Sequence, residues 1–250
     1  MMNKIKSILY EIKNDLEGVF GYHSNKISSQ SDVTRHYNDY WKKKRGQSLG
    51  ALSPWQKDRA DIILDLLPPD RNISFCDIGC GDGSIIAYIK SSRRRDGDRI
   101  SGFDASGDAV EIAQRNGLNV NFCDLNKDSK LSFLSRVDFV AFLEVLEHLP
   151  NSEEILKNAF DMVDAGIIFS VPNSGYWKHR FRLLLGRFPA QWVLMPNEHL
   201  RFWTISDMKW WLGAQGFKNY KIVAYRGIPL LNKLWPSLFS AGLLIMVNKN

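Results

Sequence analysis

The string CDIGCGDGS, residues 76–84, does most to limit what this chain can become. An apolar run, ISFCDIG, ends in Gly79, Gly81 and Gly83, and a helical pattern, SIIAYIK, starts directly behind them. Glycines at the end of a first strand let the backbone turn tightly and let a ligand approach where a Cβ would collide. A strand that turns at once into a helix is the opening unit of an open α/β sheet. Such sheets bind ligands in the crevice at the carboxyl ends of their strands.

The flanking sequence repeats that unit. RISGFD reads as a second strand, DAVEIAQRNG as a helix and NVNFCDL as a third strand. VDFVAFLEV, the capped helix NSEEILKNAFDMV and the strand AGIIFSVP follow. Alternation at this spacing predicts a Rossmann-like, doubly wound α/β fold. With FKNYKIVAY and LLIMVNK it predicts a mostly parallel seven-stranded sheet with an antiparallel edge strand. Ahead of it, residues 1–20 carry one apolar helical stripe, residues 21–35 are polar and serine-rich, and Tyr37, Tyr40 and Trp41 mark a further helical segment. The division is a helical N-terminal extension over 1–54 and a binding domain over 55–250, with 174–198 as a lid-like aromatic and basic insertion.

The strand ends choose the ligand. A dinucleotide fingerprint reads GxGxxG and seats a pyrophosphate on the helix N-terminus. Here the spacing is GxGxG, and Asp77 and Asp82 would repel a pyrophosphate. They suit a ligand that carries a sulfonium and an ammonium. Asp104, at the end of the second strand, is placed to hold both hydroxyls of a ribose, and Asp124, after the third, to accept from an adenine amino group. These carboxylates point to S-adenosyl-L-methionine rather than NAD.

The remaining composition excludes more than it selects. Cys76, Cys80 and Cys123 form no CxxC pair, which argues against a zinc cage and for reduced, buried thiols. No secretory pattern opens the sequence and no apolar run approaches the roughly 20 residues of a membrane span, so the expected location is cytoplasmic. The net charge of +6 comes largely from Lys42–Arg45 and Arg93–Arg95, and the second run is followed directly by aspartates. Nucleic acid is therefore not the expected partner.

At these residues the chain resembles a known family. CDIGCGDGS, GFDAS, FCDLN and FLEVLEHLPN are similar to the successive motifs of class I S-adenosylmethionine-dependent methyltransferases, over roughly residues 55–250. FLEVLEHLPN resembles the ubiquinone-biosynthesis O-methyltransferases, whereas the segment from FSVPNSGYW to HLRFWT resembles the MetW group, from which the acid pair in LEVLEH departs. The resemblance implies that Asp77, Gly79, Cys80, Gly81 and Gly83 hold the methionyl side, Asp104 and Ala105 the ribose, and Asp124 and Leu125 the adenine. Glu144 would flank the ligand. It implies methyl transfer to an O or N acceptor on a small molecule, a lipid-like quinol or a glycan precursor. The alternative is a MetW-like cofactor-binding partner of a methionine-biosynthesis acyltransferase.

On the acceptor side, His148 is the first candidate base and His199 the second, with Arg201 as an anion-binding partner. Trp177 and Tyr40 are candidate substrate contacts. Glu144 and Glu147 lie three apart, but no third ligand is evident, so no metal is expected. The insertion suits an apolar or anionic substrate, or peripheral contact with a membrane. The sequence leaves the oligomeric state open.

Overall fold

The structure, a computed structural model, describes residues 2–21, 49–189, 192–193 and 198–249. Tyr37, Tyr40 and Trp41 lie outside the described residues. An N-terminal helix, α1 (Met2–Phe20), precedes α2 (Pro54–Leu66). The body then runs β1 (Ser74–Ile78), α3 (Ser84–Arg93), β2 (Arg99–Asp104), α4 (Gly107–Arg115), β3 (Val120–Phe122) and β4 (Val137–Leu143). A 3-10 turn at Leu146–His148 leads to α5 (Ser152–Asp161), β5 (Val163–Pro172), α6 (Trp177–Leu184) and α7 (Ile205–Ala214). The chain closes with β6 (Tyr220–Tyr225), two one-turn helices and β7 (Gly242–Asn248).

Local chemistry sets these boundaries. Ser53 and Gln56 form a capping box at the start of α2, with Pro54 in the first turn where its missing N–H costs nothing. Pro68 stops the helix by forcing Leu67 to an extended conformation. Ser106 caps α4, and Thr204 with Asp207 boxes the start of α7. Helix α3 is different: Gly83 stands at its N-cap with φ +76°, and no side chain of that residue covers the first turn.

The seven strands are ordered β3-β2-β1-β4-β5-β7-β6. The first five run parallel, as the alternation predicts. The expected antiparallel pairing lies at the β6 edge, where β7 inserts between β5 and edge strand β6 and runs antiparallel to both. Strand alternation splits the core in two. Cys76, Ile78, Phe142 and Phe169 pack against α5 and α7 on one face, while Phe75, Phe139 and Ile168 meet α2, α3 and α4 on the other. Asp77 shares the α2 face with Phe75, on the side of the sheet that carries Arg59.

The described part of segment 174–198 is partly helical. It contains α6, which packs on α1. Among the described residues no helix is long and apolar enough to cross a membrane.

Candidate functional site

Strand order reverses between β1 and β4, and open α/β sheets form their ligand crevice at the carboxyl ends of the strands at such a point. The glycine loop follows β1 there. Gly79 has φ +84°, and a Cβ there would stand 2.4 Å from Val145 Cγ2, so no other residue fits without displacing the loop after β4. The loop is pinned to β2, because Gly79 N and Cys80 N both donate to Phe103 O, at 2.7 and 3.1 Å. Asp104 ties two loops together: Oδ2 accepts from Gly81 N at 2.7 Å and Oδ1 from Ser106 N at 2.8 Å. Burial pushes its carboxyl up, and those two N–H groups oppose the shift.

Asp77 is fully buried and its Oδ1 has no hydrogen-bond partner. Burial pushes its pKa up to about 7, with the charge of Arg59 pulling down and that of Asp104 pushing up. Such an oxygen calls for a cationic donor. Asp82, also buried, accepts from Ser84 N and Ser84 Oγ and holds the start of α3. After β3, Asp124 is buried, accepts from Asn126 N at 3.1 Å and lies 3.4 Å from exposed Lys127. Leu125 is buried beside it, and Ala105 stands half-buried just past β2.

Arg59, on α2, answers these acids, and the sequence reading missed it. Its guanidinium lies 3.1 Å from Glu144 Oε1, and its Nε has no hydrogen-bond partner. Burial opposes its charge, but Glu144 and Tyr225 beside it hold the pKa above the ordinary value. Glu144 itself has φ +60°, a conformation that non-glycine residues seldom adopt. It is held by Ser170, whose carbonyl and hydroxyl both accept from Glu144 N and whose hydroxyl donates to Glu144 Oε1 at 2.9 Å. A signal for Arg59 did exist: it sits four residues before Ile63, on the face that buries Ala60 and Ile63. A charged residue on an apolar stripe needs a partner.

The 3-10 turn after β4 carries a second cluster. The rings of His148 and His199 meet edge to face, with centroids 4.8 Å apart. His148 Nδ1 hydrogen-bonds the carbonyl of Glu198, which makes Nδ1 the protonated nitrogen and leaves the lone pair on Nε2. That Nε2 is 3.9 Å from Glu147 Oε1. Glu147 is fully buried, and neither carboxylate oxygen has a hydrogen-bond partner. Burial, and then the charge of Glu144, push its pKa well above the usual range. Burial lowers both histidines, His199 to about 4. Glu144 joins no metal-ligand group among the described residues, but Glu147, His148 and His199 offer ligand atoms within 4.8 Å of one another. The carbonyl of Glu147 brings them together by accepting from Leu200 N at 2.7 Å and Arg201 N at 3.1 Å.

Two expected substrate contacts are engaged elsewhere. Arg201 makes a two-pronged pair with Glu153, at 3.0 and 2.9 Å. The indole N–H of Trp177 donates to Asp15 on α1 at 3.2 Å. Arg59, not Arg201, is the arginine that pairs with Glu144 at the end of β4. Cys76 and Cys123 are buried free thiols pushed up to about 12 by burial, as inert packing groups would be.

The chain is similar to known proteins. A ubiquinone biosynthesis O-methyltransferase of Glaesserella parasuis is 25% identical over 171 residues, 64% of this chain and 71% of that protein. The bifunctional methionine biosynthesis protein MetXA/MetW of Rhodopirellula baltica is 30% identical over 168 residues, which cover 61% of this chain and only 26% of that longer protein. Among solved structures, a SAM dependent methyltransferase from Archaeoglobus fulgidus superposes with a TM-score of 0.59 at 18% identity, over 86% of this chain and 100% of the other. Magnesium protoporphyrin IX methyltransferase from Synechocystis, solved with bound SAH, gives 0.54 at 17% identity, over 95% and 94%. These two likenesses are of fold. The sequence pattern described as "Methyltransferase domain" matches residues 54–222, and the chain belongs to that methyltransferase family.

Proposed function

We propose that this chain moves a methyl group from S-adenosylmethionine to an oxygen or nitrogen of a small molecule. The observation that carries this reading is the charge pattern of the crevice. Asp77 presents an unpartnered buried oxygen to a cation, and Arg59 stands beside it to receive a carboxylate. An α-amino acid group carries both charges. Asp104, at the next strand end, is placed for ribose hydroxyls, and Asp124 with Leu125 for an adenine edge and face. Gly79, Gly81, Gly83 and Cys80 let that ligand lie close to the backbone, and Ala105 leaves room beside the ribose.

The cofactor supplies a methyl group on a sulfonium, whose leaving thioether is neutral. The protein has to hold the acceptor in line and remove one proton, and positioning supplies much of the acceleration. His148 is the proposed base. Its Nδ1–H is directed to Glu198 O, so Nε2 can take the acceptor's proton. His199 packs on that ring and keeps its orientation. The same three side chains suit a divalent cation, and loss of turnover in chelator, restored by added metal, would assign them as ligands instead. A phenolic or quinol-like acceptor agrees with the ubiquinone-pathway relative.

The likeness to MetXA/MetW favours a second reading, a cofactor-binding partner of an acyltransferase with little activity of its own. Calorimetry with S-adenosylmethionine, S-adenosylhomocysteine and NAD tests the cofactor. A turnover assay over phenols and amines then separates the two readings. Tighter binding of NAD sinks both, whereas cofactor binding without any methylated product, together with recovery of an acyltransferase, favours the partner.

A further inference from the structure

Helix α6 is inverted for a helix in water. Arg182 on it is fully buried and donates to the carbonyls of Gly18, Val19 and Gly21, at 2.8, 2.8 and 3.0 Å, so it closes the C-terminal end of α1. The next residues, Leu183, Leu184 and Leu185, face solvent, Leu184 at 78% exposure. Earlier on both helices, Asp15 meets Tyr176, Trp177 and Lys178. Helices α1 and α6 therefore lie side by side pointing the same way, and their C-terminal ends share one end of the pair. There Phe20 of α1, 59% exposed, joins the three leucines and Phe188, whose carbonyl accepts from Arg182 Nε at 2.8 Å. Arg180 extends this face. It reaches Ser237 O at 3.4 Å, next to Leu234 and Trp235, which are 80% and 57% exposed.

The surrounding charge is mostly basic: α1 adds Glu17, exposed and 4.0 Å from Lys13, and the rest of the face is cationic. From Gly166 to Asn250 the acids are Glu198 and Asp207 alone, against eleven lysines and arginines. Exposed apolar side chains framed by Arg180, Arg187 and Lys233 match a bilayer surface, with leucines at the acyl boundary and cations at phosphates. A second copy of the chain would set like charges against each other across a two-fold axis. We propose that this face, built from α1, α6 and the β6–β7 connection, seats on an anionic membrane surface. The inference stands apart from the proposed reaction.

The test is flotation of the full chain with phosphatidylcholine vesicles, with and without about one-third phosphatidylglycerol. Binding is expected only with the anionic lipid, weakening as salt rises. The double variant L184E/L185E alters two exposed positions outside the crevice and should lower vesicle binding by about tenfold or more. S-adenosylhomocysteine binding by that variant serves as the control for folding. Three results would overturn the proposal: no binding to anionic vesicles at low salt, equal binding by the folded variant, or a protein dimer that the variant abolishes without any lipid binding by the parent chain.

Discussion

Arg59 and Glu144 approach to 3.1 Å at the mouth of the glycine loop, one from a helix ahead of the sheet and the other from the end of β4. Both are largely withdrawn from water, so each leaves an uncompensated charge if the other is removed. Arg59→Met should destabilise the protein by about 3–5 kcal/mol and weaken cofactor binding. Exchanging both residues, Arg59→Met with Glu144→Gln, should recover part of the stability but none of the affinity. Denaturant unfolding and calorimetry on the same samples check this, and restored affinity in the double variant would remove Arg59 from the carboxylate site.

Asp104 bridges Gly81 N and Ser106 N, so it shapes the pocket as well as facing the expected ribose. Asp104→Ala should weaken S-adenosylmethionine by roughly 1.5–3 kcal/mol through lost charge-assisted hydrogen bonds. Sinefungin, which has the same ribose, should lose as much. Unchanged affinity for both would place the ribose elsewhere.

Asp77 predicts a pH dependence. Its folded pKa, about 7, stands above the ordinary carboxyl value because of burial. A raised acid contributes stability that is complete below the unfolded pKa and is lost as pH rises through the folded one. The stability difference between the parent and Asp77→Asn should therefore shift against the parent between about pH 4 and 7. A cationic ligand reverses the preference and favours the carboxylate. Calorimetry below pH 7 in buffers of different ionisation heat should show a proton released on cofactor binding. No proton release would argue against an ammonium at Asp77.

His148→Ala should reduce turnover by about 10²–10⁴ and leave cofactor affinity almost unchanged. Both histidines are lowered by burial, so the base is expected to be neutral across the physiological range and activity flat there. A normal rate in His148→Ala would leave the acceptor's proton to solvent.

Arg182→Leu tests how α1 is attached. The change strips a buried donor from three carbonyls and should free α1, with rapid proteolysis inside residues 2–21 and a protease-resistant, cofactor-binding remainder. Collapse of the whole fold would make α1 part of the core rather than an extension.

The strand–glycine–helix unit, the strand positions and the acids at the strand ends were all legible in the chain. They rest on near-neighbour rules: alternation along a strand, capping at a helix start, glycine where φ is positive. Asp77, Asp104 and Asp124 were legible because each lies within two residues of the carboxyl end of a strand whose direction the alternation already fixes. Tertiary structure decided what depends on contacts between distant segments. It brought Arg59 across from α2 to Glu144, and it carried His199 to His148 by tying residues 200 and 201 to the carbonyl of Glu147. It also turned Arg182 inward and its leucine neighbours outward, because the carbonyls ending α1 need a donor more than the leucines there need cover. No periodicity encodes such pairings, since each is set by which buried polar group remains unsatisfied once the layers have packed.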